Sequence, residues 1–232
     1  MKILAVAAHP DDLDFGCAGS TARWTAEGHE VVYCLVTSGE AGGDDASISR
    51  SDMGELRQRE QTAAAKVVGV TELHWLGFPD GAVEPTLELR AAITRVIRLV
   101  KPDRVVSQSP ERSYDRVYGS HPDHLAVGEA TFNAVYPDSR NQFAHPHLLA
   151  EEGLEPHTVE ELWLVGGPEP NDFVETTDTI DKKIEALLCH ESQIAQPEEM
   201  GKRIAMWGAE QGKQVGLPEG AAAERFRVIK TA

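Results

Sequence analysis

The chain has 232 residues, 41% hydrophobic and 26% charged, which is the composition of one soluble globular domain with a sizeable core. Its 38 acidic against 22 basic residues give a formal net charge of −16. Such a field repels phosphate backbones and anionic membrane surfaces, so neither nucleic acid nor a membrane is expected as a partner. Three scattered cysteines, Cys17, Cys34 and Cys189, form no disulfide framework and no CxxC pair. The single lysine and few apolar residues before His9 are too short for a signal-peptide core. No stretch is long enough to span a membrane. A reduced, cytoplasmic setting is the expectation.

The first element is the apolar run Lys2 to Ala7, a buried strand, which ends at His9 because Pro10 cannot continue a ladder. Two carboxylates, Asp11 and Asp12, follow at once. A helix is predicted over 15–28, with Gly28 at its stop. Glu30 to Thr37 is a β-branched second strand, and Ser38 to Asp45 is a glycine-rich loop at its carboxyl end. A helix from about Asp52 to Val68 stops at Gly69. A short strand, Glu72 to Leu76, leads into the turn Phe78-Pro79-Asp80-Gly81. Thr86 opens a helix to Val100, and Asp103 to Ser107 is a fourth strand. A polar loop, Ser109 to Ser120, is long enough to suspect function. The helix after it, to Val135, is entered through Ser120 or His121 as N-cap.

Residues 137–157 read as a variable, irregular excursion. Glu160 to Val165 is a fifth strand, Asp172 to Glu175 a short sixth, and a helix follows from Thr177 or Asp178 to His190. The tail over 195–232 is predicted to hold one short helix and an uncertain end. Strands thus alternate with helices, the signature of βαβ units. The fold class is α/β: a Rossmann-like, mostly parallel sheet with helices on both faces. One domain over 1–232 is expected, with its site at the carboxyl ends of the strands.

Chemistry concentrates at two tripeptides, His9-Pro10-Asp11 and His121-Pro122-Asp123, followed by Asp12 and His124 respectively. Each lies just beyond a strand or at a helix entry. His9, Asp11, Asp12, His121 and His124 are the candidates for a metal site. A catalytic zinc takes three protein ligands and keeps one open position, and His plus Asp from one loop with His from another fits that pattern. A nucleotide-binding Rossmann domain would need a Gly-rich turn after the first strand. This chain has HPDDLDFG there, whose carboxylates repel a pyrophosphate. A metal-binding module without catalysis would not need Asp11 beside the ligands.

The HPDD and HPDH motifs, in this order, resemble the PIG-L/LmbE-like zinc-dependent N-deacetylases. So do Thr37-x-Gly39-Glu40, Arg57-x-x-Glu60, Leu76-Gly77-Phe78-Pro79-Asp80-Gly81 and His190-x-Ser192-Gln193. The resemblance covers residues 3 to about 193. It implies one Zn2+ per chain, with another divalent transition metal open, held by His9, Asp12 and His124. It implies Asp11 as general base toward a metal-activated water. A protonated His121 would stabilise the tetrahedral intermediate, with Asp123 orienting it and raising its pKa. The implied reaction is hydrolysis of an N-acetyl amide on a small, GlcNAc-type sugar conjugate; an amidase acting on a thiol conjugate or another N-acyl group is the alternative.

Arg57 resembles an arginine near the substrate in that family, or is a solvated helix charge. Asp80 and Glu40 are placed to contact substrate hydroxyls, or are plain turn and strand-end acids. Tyr118 lies three residues before His121, where some relatives carry an oxyanion-contacting tyrosine at two. Asp14 reads as structural, and His190 and Gln193 as supporting or helix-terminal residues. His145, His147 and His157 read as solvated loop histidines. The partner is a small N-acylated molecule, and a homo-oligomer is left open.

Overall fold

A computed structural model describes residues 1–114 and 117–232 of the chain. Two residues of the polar loop, 115 and 116, lie outside that description. The elements run β1 (Lys2–Ala7), α1 (Asp12–Ala26), β2 (Glu30–Thr37), α2 (Arg50–Val67), β3 (Glu72–Phe78), α3 (Leu87–Val100) and β4 (Arg104–Gln108). They continue with α4 (Pro122–Asn133), α5 (Pro146–Ala150), β5 (Glu161–Val165), β6 (Asp172–Glu175), α6 (Ile180–Leu188), α7 (Pro197–Gln214) and β7 (Ala223–Lys230).

One seven-stranded sheet has the order β3-β2-β1-β4-β5-β7-β6. The strands from β3 to β5 are parallel, while β7 is antiparallel to both β5 and β6. β1 is central and buried on both faces, which is why its sequence is a continuous apolar run. Its alternate residues divide the core. Leu4, Val6 and Ala8 face α3 and α4 through Leu89, Ile93, Val127 and Ala130. Ile3, Ala5 and Ala7 face α1, α2 and α6 through Leu13, Ala18, Ala64 and Ala186. Strand order reverses between β1 and β4, and the crevice outside their carboxyl ends is where such sheets bind ligands.

Three expectations change. α1 begins at Asp12, three residues earlier than predicted, and is broken at Cys17 (φ −150°, ψ 19°). The tail is regular: α7 has 18 residues, and β7 enters the sheet between β5 and β6. The excursion is pinned. Arg98, fully buried, donates to the carbonyls of Asp138, Ser139, Asn141 and Ala144. Arg90 grips the buried Asp138 carboxylate through two bonds of 2.8 and 3.0 Å. His145 meets the same carboxylate at 3.1 Å, so it is not a solvated histidine.

Candidate metal centre

The end of β1 is clamped by its neighbours. The Ala8 amide donates to Gln108 Oε1 of β4 at 3.0 Å, and the Ala8 carbonyl accepts from the Thr37 amide and hydroxyl of β2, both at 2.9 Å. His9 therefore leaves a fixed point. The chain turns at Asp11, which has φ +86°, a left-handed backbone costly for any residue with a Cβ. Anchors hold it there: Gln61 Oε1 accepts from the Asp11 amide at 2.8 Å, and the Asp12 carboxylate accepts from the His9 amide at 2.7 Å. From across the crevice, α4 starts at Pro122 with His121 as N-cap, its Nδ1 accepting from the Asp123 amide at 3.2 Å. One turn of helix then aims His124 at His9.

Donor atoms of three residues meet. His9 Nδ1 lies 3.2 Å from His124 Nε2 and 3.2 Å from Asp12 Oδ2, and His124 Nε2 lies 2.9 Å from Asp12 Oδ1. Ligands at zinc-like bond lengths of about 2.0 Å in a tetrahedron stand roughly 3.3 Å apart, so two nitrogens and a carboxylate at these spacings fit one small divalent ion. The His121 ring also lies close, its centroid 5.0 Å from that of His9 and 5.2 Å from that of His124. The other nitrogen of His9 faces two carboxylates: Nε2 is 3.0 Å from Asp80 Oδ1 and 3.1 Å from Asp123 Oδ2. Those carboxylates already accept backbone amides, Asp80 from Ala41 at 2.8 Å and Asp123 from Gly81 at 2.8 Å. Carboxylates behind an imidazole put its proton on Nε2 and leave Nδ1 as the ligand atom.

Electrostatics follow the packing. Burial alone would lower the His9 pKa, but hydrogen bonds to Asp12, Asp123 and Asp80 outweigh it and raise it, so a metal bound at Nδ1 must displace a proton there. Burial opposes ionisation of Asp12 too, yet the charges and hydrogen bonds of His124 and His9 hold its carboxyl well below the usual range. Asp11 goes the other way. Burial and the neighbouring Asp12 charge push it up to about 7, against the opposing pull of Arg57, His190 and His9. A carboxylate at that poise can take and return a proton near neutral pH. His121 is lowered, by burial and then by the charges of His9 and His124.

The family model for GlcNAc-PI de-N-acetylase, PIG-L, matches residues 4–135. The chain belongs to the PIG-L family. Diacetylchitobiose deacetylase of Thermococcus kodakarensis is 33% identical over 193 residues, 83% of this chain and 70% of that protein. A probable N-acetyl-alpha-D-glucosaminyl L-malate deacetylase 2 of Bacillus anthracis is 30% identical, covering 83% of this chain and 81% of that one. The solved structure of N,N'-diacetylchitobiose deacetylase from Pyrococcus horikoshii superposes with a TM-score of 0.90 at 27% identity, over 99% of this chain and 84% of that chain. As a PIG-L protein this chain is a hydrolase of the N-deacetylase and amidase kind, and His9 stands in two groups able to hold a metal ion, one with His121 and His124 and one with Asp80 and Asp123.

In this PIG-L chain several residues make contacts other than those the resemblance implied. Arg57 is not a solvated helix charge. It is buried, donating to Gly39 O at 2.9 Å, Pro10 O at 2.7 Å and Asp11 Oδ2 at 3.2 Å. Asp80 is spent on His9 and Ala41. Glu40 braces the loop, accepting from the Asp80 amide at 2.8 Å and the Ser38 hydroxyl at 2.9 Å. The Asp123 carboxylate turns to His9 instead of orienting His121. His121 is exposed, its pKa is lowered, and its Nδ1 is taken by an amide proton, so the resting imidazole is neutral with its proton on Nε2. Tyr118 is open to solvent on the 3-10 turn Val117–Ser120.

Asp14 is structural, bonded at 2.9 Å to His190, and both are fully buried. Gln61 was missed. It sits four residues after Arg57 on the same helix face, and that spacing was the available signal.

Proposed function

We propose that this chain hydrolyses the N-acetyl amide of a small GlcNAc-type sugar conjugate, using one zinc ion held by His9 Nδ1, Asp12 and His124 Nε2. The observation that carries this is the cluster of donor atoms from His9, Asp12 and His124, with the Asp11 carboxylate beside it on a left-handed turn anchored by Arg57 and Gln61. Bound there, a divalent metal supplies Lewis acidity that polarises an acyl oxygen and acidifies a water. Asp11, held by Arg57 and Gln61, takes the proton of the attacking water and returns it to the departing amine. The Nε2–H of His121 is the donor for the oxygen on which charge develops. Asp80 and Asp123 fix the His9 tautomer and do not touch substrate. The acetyl carbon goes out as acetate and the sugar as a primary amine.

We further infer one domain over 1–232 that works on small molecules in the cytoplasm; among the described residues no helix is long and apolar enough to cross a membrane. The test is primary-amine release from a panel of N-acetylated sugars, sugar conjugates and thiol conjugates, with added Zn2+ and with chelator. Zinc-dependent release from the N-acetyl sugars supports the reading. Release from thiol conjugates alone would replace it with an amidase, and no release from any amide would refute it.

A further inference from the structure

The break in α1 has a specific filling. In an unbroken helix the Gly19 amide would bond the Phe15 carbonyl, and the Ser20 amide the Gly16 carbonyl. Here Cys17 leaves helical geometry and those amides turn to a side chain. Glu224 of β7 accepts from the Gly19 amide through Oε1 at 3.1 Å and from the Ser20 amide through Oε2 at 2.7 Å. On the other side of the break, Lys183 of α6 donates to the Phe15 carbonyl at 2.8 Å. Lys183 and Glu224 are themselves paired at 2.5 Å, and both are buried. The missing helical bond is therefore replaced by a relay: Phe15 carbonyl, Lys183 ammonium, Glu224 carboxylate, Gly19 amide. Gly19 is needed for it, because a Cβ there would stand 2.9 Å from Thr176 Cγ2 and 3.2 Å from Glu224 Oε1.

The turn ahead of the break, Asp12 to Gly16, carries the Asp12 carboxylate. An unbroken helix would fix that turn along the axis of residues 18–26. The inserted ion pair instead ties the two sides of the break to α6 and β7, two elements that contribute no donor atom to the His9, Asp12 and His124 cluster. We propose that Lys183 and Glu224 are positioning residues that aim Asp12 at the metal through the broken helix. The inference rests on Asp12 being a ligand, as in the function proposed above. It places part of the site's precision in the carboxyl-terminal strand, outside the residues that the family model covers.

The test measures Zn2+ affinity with a competing chromophoric chelator, beside the melting temperature, for purified full-length variants. Lys183→Met should bind Zn2+ about 10–100-fold more weakly, the usual effect of losing a partner that orients a ligand. Arg90→Met, which breaks the half-buried pair with Asp138 on the opposite face of the sheet, should lower the melting temperature and leave Zn2+ affinity unchanged. Wild-type affinity in folded Lys183→Met would overturn the proposal.

If that variant does not fold, Glu224→Gln decides, since it keeps the volume and one acceptor oxygen; a weakened affinity supports positioning and an unchanged one refutes it. A measurement on the wild type needs no variant. Coupling is reciprocal, so Zn2+ should slow hydrogen exchange in peptides 179–188 and 220–227 as well as in 9–20. A response confined to 9–20 would refute the role of the pair. Failure of the ligand assignment itself looks different: Asp12→Ala would then bind Zn2+ as tightly as the wild type.

Discussion

Arg57 separates two accounts of the site, and Arg57→Lys tests them. The guanidinium makes three bonds in three directions, to Pro10 O, Gly39 O and Asp11 Oδ2. An ammonium on a shorter stem can reach one of these. Two bonds to a charged donor are lost, and at about 1.5 kcal/mol each on the low side the cost is about 3 kcal/mol. For a chain of this length each kcal/mol is worth about 2–4 °C, so the melting temperature should fall by roughly 6–12 °C. Asp11 keeps its strained backbone partly through this contact, so the base should lose its placement. Turnover should drop by about 10²-fold, at the low end of what a placed acid or base contributes. KM should stay within about threefold, because Arg57 lies behind Asp11 and not beside substrate. Differential scanning fluorimetry and amine-release kinetics measure both. An unchanged melting temperature with KM raised tenfold would show that Arg57 binds substrate and that the anchoring argument is wrong.

Chelation should abolish turnover and leave the protein folded, since the hydrophobic clusters on the two faces of the sheet include none of the proposed ligands. At metal about 100-fold above Kd the linkage is about 2.7 kcal/mol, so a melt should show a fall of roughly 5–11 °C; unfolding at room temperature would mark the site as structural. His121→Ala should keep its metal and lose about 10²–10³ in kcat, the worth of one oxyanion donor; loss of the metal by elemental analysis would make His121 a ligand. The buried His190–Asp14 pair gives a stability prediction with a definite sign. Burial lowers the His190 pKa, but the hydrogen bond and charge of Asp14 outweigh it and raise the pKa above its ordinary value. The folded state then holds that proton more tightly, so the pair's contribution is full below about pH 6.5 and is lost as pH rises through the raised value. The wild-type melting temperature should fall with alkaline pH more steeply than that of His190→Gln; parallel curves would contradict the assignment.

The parallel part of the fold and the chemistry of the site are legible because they are local. An apolar run, a proline and two carboxylates announce a strand end with ligands, and the second HPD repeats the message at a helix entry. What the sequence hides is long-range. β7 reads AERFRVIK, with charges that mask a strand, yet its Ala223, Glu224 and Phe226 point into protein. α7 holds Gly201, Gly208 and Gly212, which lower its propensity as a helix. A Cβ at Gly212 would meet the Ala221 carbonyl at 2.0 Å, so that glycine serves close packing against the strand's approach. Arg57 and Asp80 have the residue types of substrate contacts. Only tertiary structure reveals that backbone carbonyls, an amide and His9 already occupy them. The neutral state of His121 likewise depends on an amide proton at its Nδ1, a detail that spacing does not carry.

The central claim is that two adjacent aspartates differ in kind, and one measurement on both addresses it: bound zinc per chain beside kcat for Asp12→Ala and Asp11→Asn. Asp12 bridges two imidazole nitrogens, so Asp12→Ala should lose the metal. Asp11 faces Arg57, so Asp11→Asn should retain a full equivalent of zinc while kcat falls by roughly 10²–10⁴-fold. Zinc lost from Asp11→Asn and kept by Asp12→Ala would reverse the two roles. Full zinc and full activity in both would contradict the account of this site.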